Sequence, residues 1–373
     1  MKILLDPQVY AFQTYGGISR YYTEIFSRLK NKKDLSILNS VLITKNVYFN
    51  QSNLYGKPQK RLFYFVTFLN KMGISIRSKT KNINTNFVKR KLKLKNFDLF
   101  IPTYYGTYFL EYIDNKPFVL TVYDMIHELY PQYFINDPLE VTKNKKILLE
   151  KATKIIAVSK NTKKDILKIY PHIDSNKIEV IYHGNSIYYA KSITVNLPEK
   201  YILFVGERAN YKNFIFMLES LKDVLHNNKT IHIICAGGGK FTVAEKNKIS
   251  ELGLENQVIQ KYFEDNELGT FYHNAICFIF PSEYEGFGIP ILEAMACSCP
   301  IILTNNSSFP EVAGEAGIYF ELNNLEDLKN KVKMLIENNS TRREYIKKGL
   351  ERSKLFSWEK AATDCLNVYK AAI

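Results

Sequence analysis

The chain lacks long hydrophobic runs and has few cysteines. None of its 373 residues falls in an uncharged apolar stretch of about 18 or more, the length that a membrane-spanning helix needs. The first residues, MKILLDPQVY, reach Asp6 too early for a secretory signal, so we expect them to form a first strand. The five cysteines are odd in number and widely scattered, a pattern typical of buried thiols in a reducing compartment. These absences predict a cytoplasmic protein.

Acidic side chains are absent from residues 35–97, an interval that holds thirteen lysines and arginines. Much of the net charge of +14 therefore lies in the first part of the chain. Such a basic face can meet nucleic acid, an anionic membrane surface or an anionic acceptor, or it can simply be solvated. No nucleic-acid motif accompanies it, so we expect no nucleic-acid partner. The run Arg61–Lys71 (RLFYFVTFLNK) adds aromatic and apolar side chains, which favours peripheral contact with an anionic membrane.

Short apolar segments alternate with helical patterns along the chain. A first series comprises Lys2–Asp6, Ile37–Ile43, Asp98–Ile101, Phe118–Val122, Lys154–Val158 and Lys177–Ile181. A second comprises Tyr201–Val205, Ile231–Ala236, Gln257–Lys261, Cys277–Phe280, Pro300–Thr304 and Gly317–Phe320. Most are continuously apolar, as expected of strands in a parallel sheet that helices cover on both faces. Two such series predict an α/β protein with two doubly wound, Rossmann-like domains.

A polar stretch that begins near Gly184 separates the two series. We expect a first domain at 1–184, a second at 185–356, and a terminal helix within 357–373 that packs back towards the first domain, with Trp358 as its anchor. Ligands of doubly wound domains bind at the carboxyl ends of the strands. We therefore expect the binding site in a cleft that the two domains face.

The most informative motif is PSEYEGFGIPILEAMACSCP, residues 281–300, which directly follows the strand CFIF. Gly286 and Gly288 allow the backbone to approach a ligand closely. Pro290 suits the first turn of a helix, which we place at Ile289–Cys297. This combination predicts a ligand-binding turn at the edge of the second sheet.

Two acids accompany that turn. Glu285 would lie in the loop and Glu293 in the first helical turn, so that both can face the cleft. The N-terminus of the helix would favour an anion nearby. The alternative is an ordinary loop and helix with two surface acids, but the strand, glycines, proline and acids occurring together favour a binding site.

Two further clusters follow strands. Arg208 and Lys212 come after the strand YILFV in GERANYKN, where two fixed cations would neutralise a leaving diphosphate. Basic residues near a helix start are also often simply solvated. Gly16-Gly17 precedes a helix expected at Tyr21–Lys30 and would expose backbone N–H groups to phosphate, although ordinary turns use the same pair.

A fourth cluster lies in TVYDMIHELYPQYF, which starts at Thr121. Tyr123 and Asp124 end a strand of the first domain, and His127 follows three residues later. A histidine beside a strand end can be structural, or it can contact a transferred sugar. Both interpretations stay open from the residues alone.

Taken together, these motifs resemble those of the retaining family-4 glycosyltransferases over nearly the whole chain. The similar segments are YGGISR, TVYDMIHELYP, AVSKNTKKDI, IYHGN, FVGERANYKN, FPSEYEGFGIPILEAMACSCPI, SSFPEVAGEAGIYF and FSWEKAA. The most specific feature is the E-x7-E pattern of Glu285 and Glu293. The resemblance implies the GT-B fold, in which two Rossmann-like domains face each other across a cleft.

The resemblance also implies roles for the second-domain turn. Glu293 would hold the ribose hydroxyls of a nucleotide. Glu285 and the backbone of Gly286, Phe287 and Gly288 would hold the donor sugar and its phosphate. The substrate would therefore be a nucleotide-sugar donor.

By the same resemblance, Arg208 and Lys212 would hold the diphosphate, and Gly16–Gly17 would close over it from the first domain. Relatives often carry a His-Asp pair where this chain has Tyr123 followed by aspartate. Either Tyr123 replaces that sugar-contacting histidine, or His127 reaches in from one helical turn further on.

The sequence thus predicts a retaining, hexosyltransferase-type glycosyltransferase of polysaccharide or glycan biosynthesis, acting on a saccharide or lipid-linked saccharide acceptor. The chain contains no Asp-x-Asp pair, which is the usual metal–diphosphate anchor of the other glycosyltransferase fold, so we expect neither metal nor cofactor. The alternatives are a catalytically silent nucleotide-sugar-binding protein and an epimerase or phosphorylase on the same scaffold. The location would be the cytoplasm, with peripheral contact at the inner face of the cell membrane.

Overall fold

A computed structural model describes residues 1–56, 61, 80–135, 140–208 and 210–373. Of the basic and aromatic run Arg61–Lys71, only Arg61 lies within the described residues. The chain forms two compact units. Unit 1 comprises Met1–His183 together with Trp358–Ile373, and unit 2 comprises Gly184–Ser357.

The strands of unit 1 are all parallel. They are β1 (Lys2–Leu5), β2 (Ser36–Asn39), β3 (Leu99–Ile101), β4 (Val119–Val122), β5 (Lys154–Ala157) and β6 (Ile178–Val180). Their orders are β2-β1-β3 and β4-β5-β6. A parallel bridge between Phe100 and Phe118 joins β3 to the start of β4. The described helices are Gln8–Phe12, Gly17–Leu29, Val47–Gln51, Thr80–Lys93, Leu110–Ile113, Ile126–Leu129, Val141–Lys151, Lys160–Ile169 and Trp358–Ala371, with 3-10 turns at Pro131–Tyr133 and Ser175–Lys177.

The terminal helix Trp358–Ala371 packs on Gly17–Leu29 within unit 1. Trp358 is almost fully buried, and its ring lies 6.1 Å from that of Tyr21 and 5.6 Å from that of His183. Aromatic packing of this kind gives the helix a large buried contact area. The single tryptophan therefore sits inside unit 1, at the contact between its last helix and an early one.

The strands of unit 2 form one parallel sheet of six. They are β7 (Lys200–Val205), β8 (Ile231–Ala236), β9 (Val258–Lys261), β10 (Cys277–Phe280), β11 (Ile301–Thr304) and β12 (Gly317–Phe320), in the order β12-β11-β10-β7-β8-β9. The described helices are Phe214–Asn227, Val243–Glu251, Leu268–Asn274, Ile289–Ala296, Phe309–Ala313, Leu325–Glu337 and Asn339–Ser353, with 3-10 turns at Asn210–Lys212 and Gly314–Ala316. Buried aliphatic side chains of the strands and helices form its core.

The predicted α/β fold with parallel strands in two successive series is confirmed, and each of the twelve predicted segments overlaps a strand. The predicted strand Ile37–Ile43 is wrong in its second half, because β2 ends at Asn39. Beyond that point the Asn84 carboxamide accepts from the amides of Leu42 and Ile43 and donates to the Ile43 carbonyl. These side-chain hydrogen bonds replace the ladder that a longer strand would need. Within the described residues, no helix has the length and apolarity to cross a bilayer.

Candidate active site

The order of the unit 2 sheet brings two of the predicted motifs together. β7 and β10 are neighbours, and the strand order reverses direction between them. At such a switch point, the loops after the two strands diverge and leave a crevice at their carboxyl ends. Lys212 lies in the loop after β7, and Glu285 lies in the loop after β10. The switch point therefore sets these two side chains at one edge of the sheet.

Left-handed backbone conformations shape the loop after β7. Gly206, Asn210 and Asn213 have φ values of +102°, +46° and +52°. Glycine adopts this region freely, and asparagine tolerates it better than most residues. A 3-10 turn at Asn210–Lys212 then leads into the helix Phe214–Asn227. Lys212 thus has a defined position immediately before the helix.

Lys212 and Glu285 form an ion pair between their Nζ and Oε1 atoms. The Glu283 amide donates to the Tyr211 carbonyl at 2.8 Å, which holds the two loops side by side. The Lys212 ammonium also lies 4.9 Å from the Tyr211 ring centre and 5.6 Å from that of Phe280. Burial alone would lower the pKa of this ammonium, but Glu285 and Tyr211 more than offset it and raise the pKa. The amine therefore stays charged at neutral pH.

Two serines that the sequence analysis missed hold the Glu285 loop. The Ser307 hydroxyl accepts from the Glu285 amide at 3.2 Å. The Ser308 hydroxyl lies 3.0 Å from both the Glu285 and the Phe287 carbonyl oxygens. Both serines come from the segment after β11, about twenty residues away, so no local pattern marks them. They fix the backbone that carries the first glutamate.

The second glutamate lies deeper than predicted. The helix is Ile289–Ala296, so Glu293 is its fifth residue and lies beyond the first turn. Its carboxylate is buried and accepts from the Tyr272 hydroxyl at 3.1 Å. Burial and this carboxylate raise the pKa of Tyr272 well above its ordinary range, so the hydroxyl remains a donor. Tyr272 is thus a further site residue, which its position in a predicted helix did not reveal.

Gly288 precedes that helix with φ +89°, and an added Cβ would lie 2.9 Å from Ile291 Cδ1. Only glycine adopts this conformation at little cost. The neighbouring Phe287 is buried against Phe356. The turn over residues 286–288 is therefore tight.

Arg208, which is predicted to hold the diphosphate together with Lys212, contacts a different loop in this structure. Its Nε donates to Glu245 at 2.9 Å, and its terminal nitrogens donate to the carbonyls of Gly237, Gly238, Gly239 and Lys240. The side chain is 2% exposed. A buried guanidinium needs such partners, since its five donors cannot be left unsatisfied. In this structure Arg208 binds the glycine-rich loop after β8.

In unit 1, Gly16 and Gly17 start the helix Gly17–Leu29, slightly earlier than predicted. Gly16 has an extended backbone, and an added Cβ would meet the Gln13 carboxamide at 2.4 Å. Gln13 Oε1 accepts from the Ser19 amide at 3.1 Å. Glycine at position 16 therefore leaves room for a side chain that caps the helix, a role the sequence analysis did not assign.

Tyr123 lies among other tyrosines inside unit 1. Its ring is buried, with ring centres of Tyr21, Tyr22 and Tyr105 at 5.9, 6.2 and 6.4 Å. Burial raises the pKa of its hydroxyl well above the ordinary value. Tyr123 is thus packed among other tyrosines in this structure, and the choice between Tyr123 and His127 as the sugar-contacting residue stays a prediction.

Asp124 and His127 remain at the surface of unit 1. The Asp124 side chain is 32% exposed. The His127 ring is partly buried and stacks on Phe134, with ring centres 4.0 Å apart. Both residues follow β4 at the carboxyl edge of the sheet, where ligands of such folds bind.

An ionic group that the sequence did not reveal lies beside them. Lys145, from the helix Val141–Lys151, has a side chain with no exposed surface. Its Nζ donates to Glu128 Oε2 at 2.9 Å and to the Asp124 carbonyl at 3.0 Å. The two acids precede Lys145 by 17 and 21 positions, and no short motif links them. In the part of the chain described, no group of three or more histidine, cysteine, aspartate or glutamate side chains could hold a metal ion.

Comparison with known proteins defines the class that this fold and site belong to. Residues 60–186 match the family described as Glycosyltransferase Family 4, and residues 188–352 match Glycosyl transferases group 1. The chain belongs to these GT-B glycosyltransferases of group 1 and family 4. The predicted family, the predicted fold and the prediction of a glycosyltransferase are confirmed.

Three relatives illustrate the similarity. O-antigen chain mannosyltransferase B of Escherichia coli is 27% identical over 68% of this chain and 70% of its own length. An uncharacterized glycosyltransferase of Methanocaldococcus jannaschii is 27% identical over 99% of this chain and 98% of its own. An N-acetylgalactosaminyltransferase of Campylobacter jejuni, named for a diphospho-undecaprenol-linked acceptor, is 28% identical over 59% of this chain and 60% of its own. The relatives thus support an enzyme of O-antigen or glycan biosynthesis.

Solved structures support the fold. The HepE protein of Anabaena, in complex with UDP and glucose, has a TM-score of 0.71 and 15% identity over 99% of each chain. TarM of S. aureus, in a complex that contains UDP, has a TM-score of 0.62 and 19% identity over 77% of this chain and 59% of its own.

Proposed function

We propose that the protein transfers a hexosyl group from a nucleotide-sugar donor to a saccharide or lipid-linked saccharide, with retention of the anomeric configuration. The observation that carries this proposal is the Lys212–Glu285 ion pair at the switch point of the unit 2 sheet. It sets a charged amine and a carboxylate together at the carboxyl ends of β7 and β10. This is the edge at which a diphosphate and its sugar bind in folds of this kind.

Lys212 would stabilise the reaction electrostatically. As the C–O bond between the anomeric carbon and the phosphate breaks, negative charge grows on the leaving diphosphate. A preorganised ammonium in a partly desolvated site lowers that barrier by several kcal/mol, about 3–4 for one such donor. Glu285 is the partner of Lys212 in this structure. When the diphosphate binds the Lys212 ammonium, the Glu285 carboxylate would instead accept a hydrogen bond from a hydroxyl of the donor sugar. Glu293, held by Tyr272, would accept from the ribose hydroxyls.

Retention follows from attack on the face that the nucleotide leaves. The acceptor hydroxyl would lose its proton to an oxygen of the departing phosphate, so the chain need not supply a general base. Arg208 would act indirectly, by holding the loop Gly237–Lys240 beside the nucleotide site. We also propose that the reaction needs no metal. In glycosyltransferases with an Asp-x-Asp pair, a bound metal neutralises the diphosphate, and here Lys212 would supply that positive charge.

The acceptor would bind to unit 1. The Campylobacter jejuni relative is named for a diphospho-undecaprenol-linked acceptor, which supports a lipid-linked saccharide here. The carboxyl edge of the unit 1 sheet carries Asp124 and His127, whose polar groups suit sugar hydroxyls. The E. coli relative supports a place for the enzyme in O-antigen or related glycan synthesis.

We propose a cytoplasmic enzyme that contacts the inner face of the cell membrane through the helix Thr80–Lys93. Arg90 and Lys93 are exposed there, and the adjoining Leu94 is 75% exposed. An exposed leucine flanked by cations suits the headgroup region of an anionic bilayer. Arg61 and Lys71, with the aromatic run between them, belong to the same acid-free interval of the sequence.

The test is a donor panel of UDP-, GDP-, ADP- and dTDP-sugars. Incubation should release nucleoside diphosphate from one donor class, faster when a lipid-linked saccharide is added. Proton NMR of the product should show the donor's anomeric configuration. An inverted product would refute retention. Binding of a donor without any release would identify the catalytically silent alternative.

A further inference from the structure

A buried ion pair in unit 1 lies outside the donor chemistry. Lys145 has no exposed side-chain surface, and Glu128 is 3% exposed. Their Nζ and Oε2 atoms are 2.9 Å apart. Removing an ammonium and a carboxylate from water is costly for each ion, and the attraction between them often no more than balances that cost. A contribution to folding stability therefore does not explain the presence of this ion pair.

Lys145 reaches the turn that follows β4 at more than one point. Its Nζ donates to the Asp124 carbonyl at 3.0 Å and lies 3.9 Å from Asp124 Oδ1. It also lies 5.0 Å from the ring centre of Tyr105, whose hydroxyl accepts from the Tyr123 amide at 3.1 Å. The ammonium thus fixes both the backbone and the side chain at the start of this turn.

The same contacts leave one oxygen of the Asp124 carboxylate available as a hydrogen-bond acceptor. Its Oδ1 accepts from the Ile126 amide at 3.1 Å, which sets the rotation of the carboxylate. Among the described residues, no hydrogen-bond donor is found for Oδ2, and the side chain is 32% exposed. Glu128 differs, because its second oxygen, Oε1, is buried without a hydrogen-bond partner in the described part of the chain. Glu128 is therefore the counter-ion, and Asp124 is the group presented outward.

We propose that Lys145 and Glu128 are a positioning pair that holds Asp124 so that its Oδ2 can accept a hydrogen bond from a sugar hydroxyl. The inference rests on the proposed function, which places the acceptor on unit 1. Neither Lys145 nor Glu128 would touch the sugar. Their effect would be on the rate of transfer, because a reacting group displaced by about 1 Å can cost roughly 100-fold in rate.

The experiment separates positioning from stability by removing both charges. Lys145→Met alone strands a buried carboxylate and should lower the melting temperature. The double variant Lys145→Met with Glu128→Leu removes the stranded charge, and apolar replacement of a buried pair is often neutral or stabilising. Its melting temperature should therefore return towards that of the wild type. Its kcat should stay roughly 10- to 100-fold low, with the KM for the donor unchanged.

Lys143→Met is the matched control. Lys143 lies in the same helix and pairs with Glu140, but its side chain is 67% exposed. That variant should keep wild-type kcat and melting temperature. If kcat in the double variant recovers together with the melting temperature, the pair has only a structural role and the proposal is overturned.

A second readout does not depend on turnover. Hydrogen exchange of the backbone amides in residues 123–129 should be faster in the double variant than in wild type and in Lys143→Met. Unchanged exchange would overturn the proposal even if the enzyme were active. Wild-type protein that transfers no sugar from any donor would instead overturn the proposed function, while faster exchange in the double variant would still support the positioning of Asp124.

Discussion

The Lys212 ammonium pairs with the Glu285 carboxylate across 73 positions of sequence. The neighbouring strands β7 and β10 make this possible, since each residue lies in the loop that leaves one of them. The ion pair places opposite charges at the switch point, and either side chain can exchange its partner for a group of a bound ligand. An anionic ligand that takes the ammonium would free the carboxylate for a sugar hydroxyl.

Lys212→Ala should lower turnover about 100-fold or more, because one preorganised cation is lost from the leaving-group site. The variant should still fold, since the side chain is partly exposed and contributes to no apolar core. Steady-state release of nucleoside diphosphate measures the effect. Lys348→Ala, which breaks an exposed pair with Glu344 in the same unit, is the control and should behave as wild type. Full activity of Lys212→Ala would refute its assignment.

The two glutamates should affect different kinetic constants. Glu285→Gln should mainly lower kcat, because that side chain would act at the transferred sugar. Glu293→Gln should mainly raise the KM for the donor, through weaker ribose hydrogen bonds. Tyr272→Phe removes the hydroxyl that orients Glu293 and should raise the same KM by a smaller factor. If both glutamate variants kept wild-type constants, the donor site would lie elsewhere.

Activity should persist in excess EDTA, because Lys212 would neutralise the diphosphate in place of a metal ion. The measurement is donor turnover in protein treated with chelator and then assayed with and without Mg²⁺ or Mn²⁺. Loss of turnover on chelation, followed by recovery on addition of either ion, would show that the reaction needs a metal.

Unit 1 should lose stability in mild acid through His183. Burial lowers the pKa of His183 from 6.5 to about 3. Between these values the unfolded chain binds a proton that the folded chain does not, so the free energy of unfolding falls as the pH drops from about 6.5 towards 3. The slope for one such group is about 1.4 kcal/mol per pH unit.

His183→Gln should flatten this dependence. Urea unfolding at several pH values can be followed by the fluorescence of Trp358, the single tryptophan, which lies 5.6 Å from the His183 ring. His172→Gln, a change at an exposed histidine of the same unit, is the control. Parallel curves for wild type and His183→Gln below pH 6.5 would contradict the prediction.

Liposomes that contain phosphatidylglycerol should sediment the protein at low salt and release it at high salt. Changing Lys89, Arg90 and Lys93 to Gln should weaken this binding and leave donor affinity unaltered. Lys91 and Lys95 are better left in place, since they bond to Asn39 and Asp114 at 2.8 and 2.5 Å.

The control changes Arg343, Lys347 and Lys348 of unit 2 to Gln. It removes the same number of positive charges, but from the helix Asn339–Ser353 and not from the proposed membrane-binding helix Thr80–Lys93. This variant should therefore sediment like wild type. Equal sedimentation on neutral and anionic liposomes would leave a solvated basic face as the explanation for the charge.

The sequence by itself determined the positions of the twelve strands and the class of the enzyme. Continuous apolar segments depend only on neighbouring residues, and the motif around Glu285 and Gly288 is short and contiguous. Strand β2 was predicted too long because its end depends on Asn84, a residue of a distant helix. Local patterns cannot reveal a hydrogen bond whose partner lies about forty positions away.

Only the tertiary structure decided which charges meet. Arg208 and Lys212 are four residues apart and looked like one cluster, yet Arg208 binds the loop after β8 while Lys212 pairs with Glu285. The same is true of Lys145, whose partners Asp124 and Glu128 precede its helix. The physical reason is that an ion pair depends on distance in space. In unit 2 the order of the sheet sets that distance, whereas the sequence records only which residues can carry charge.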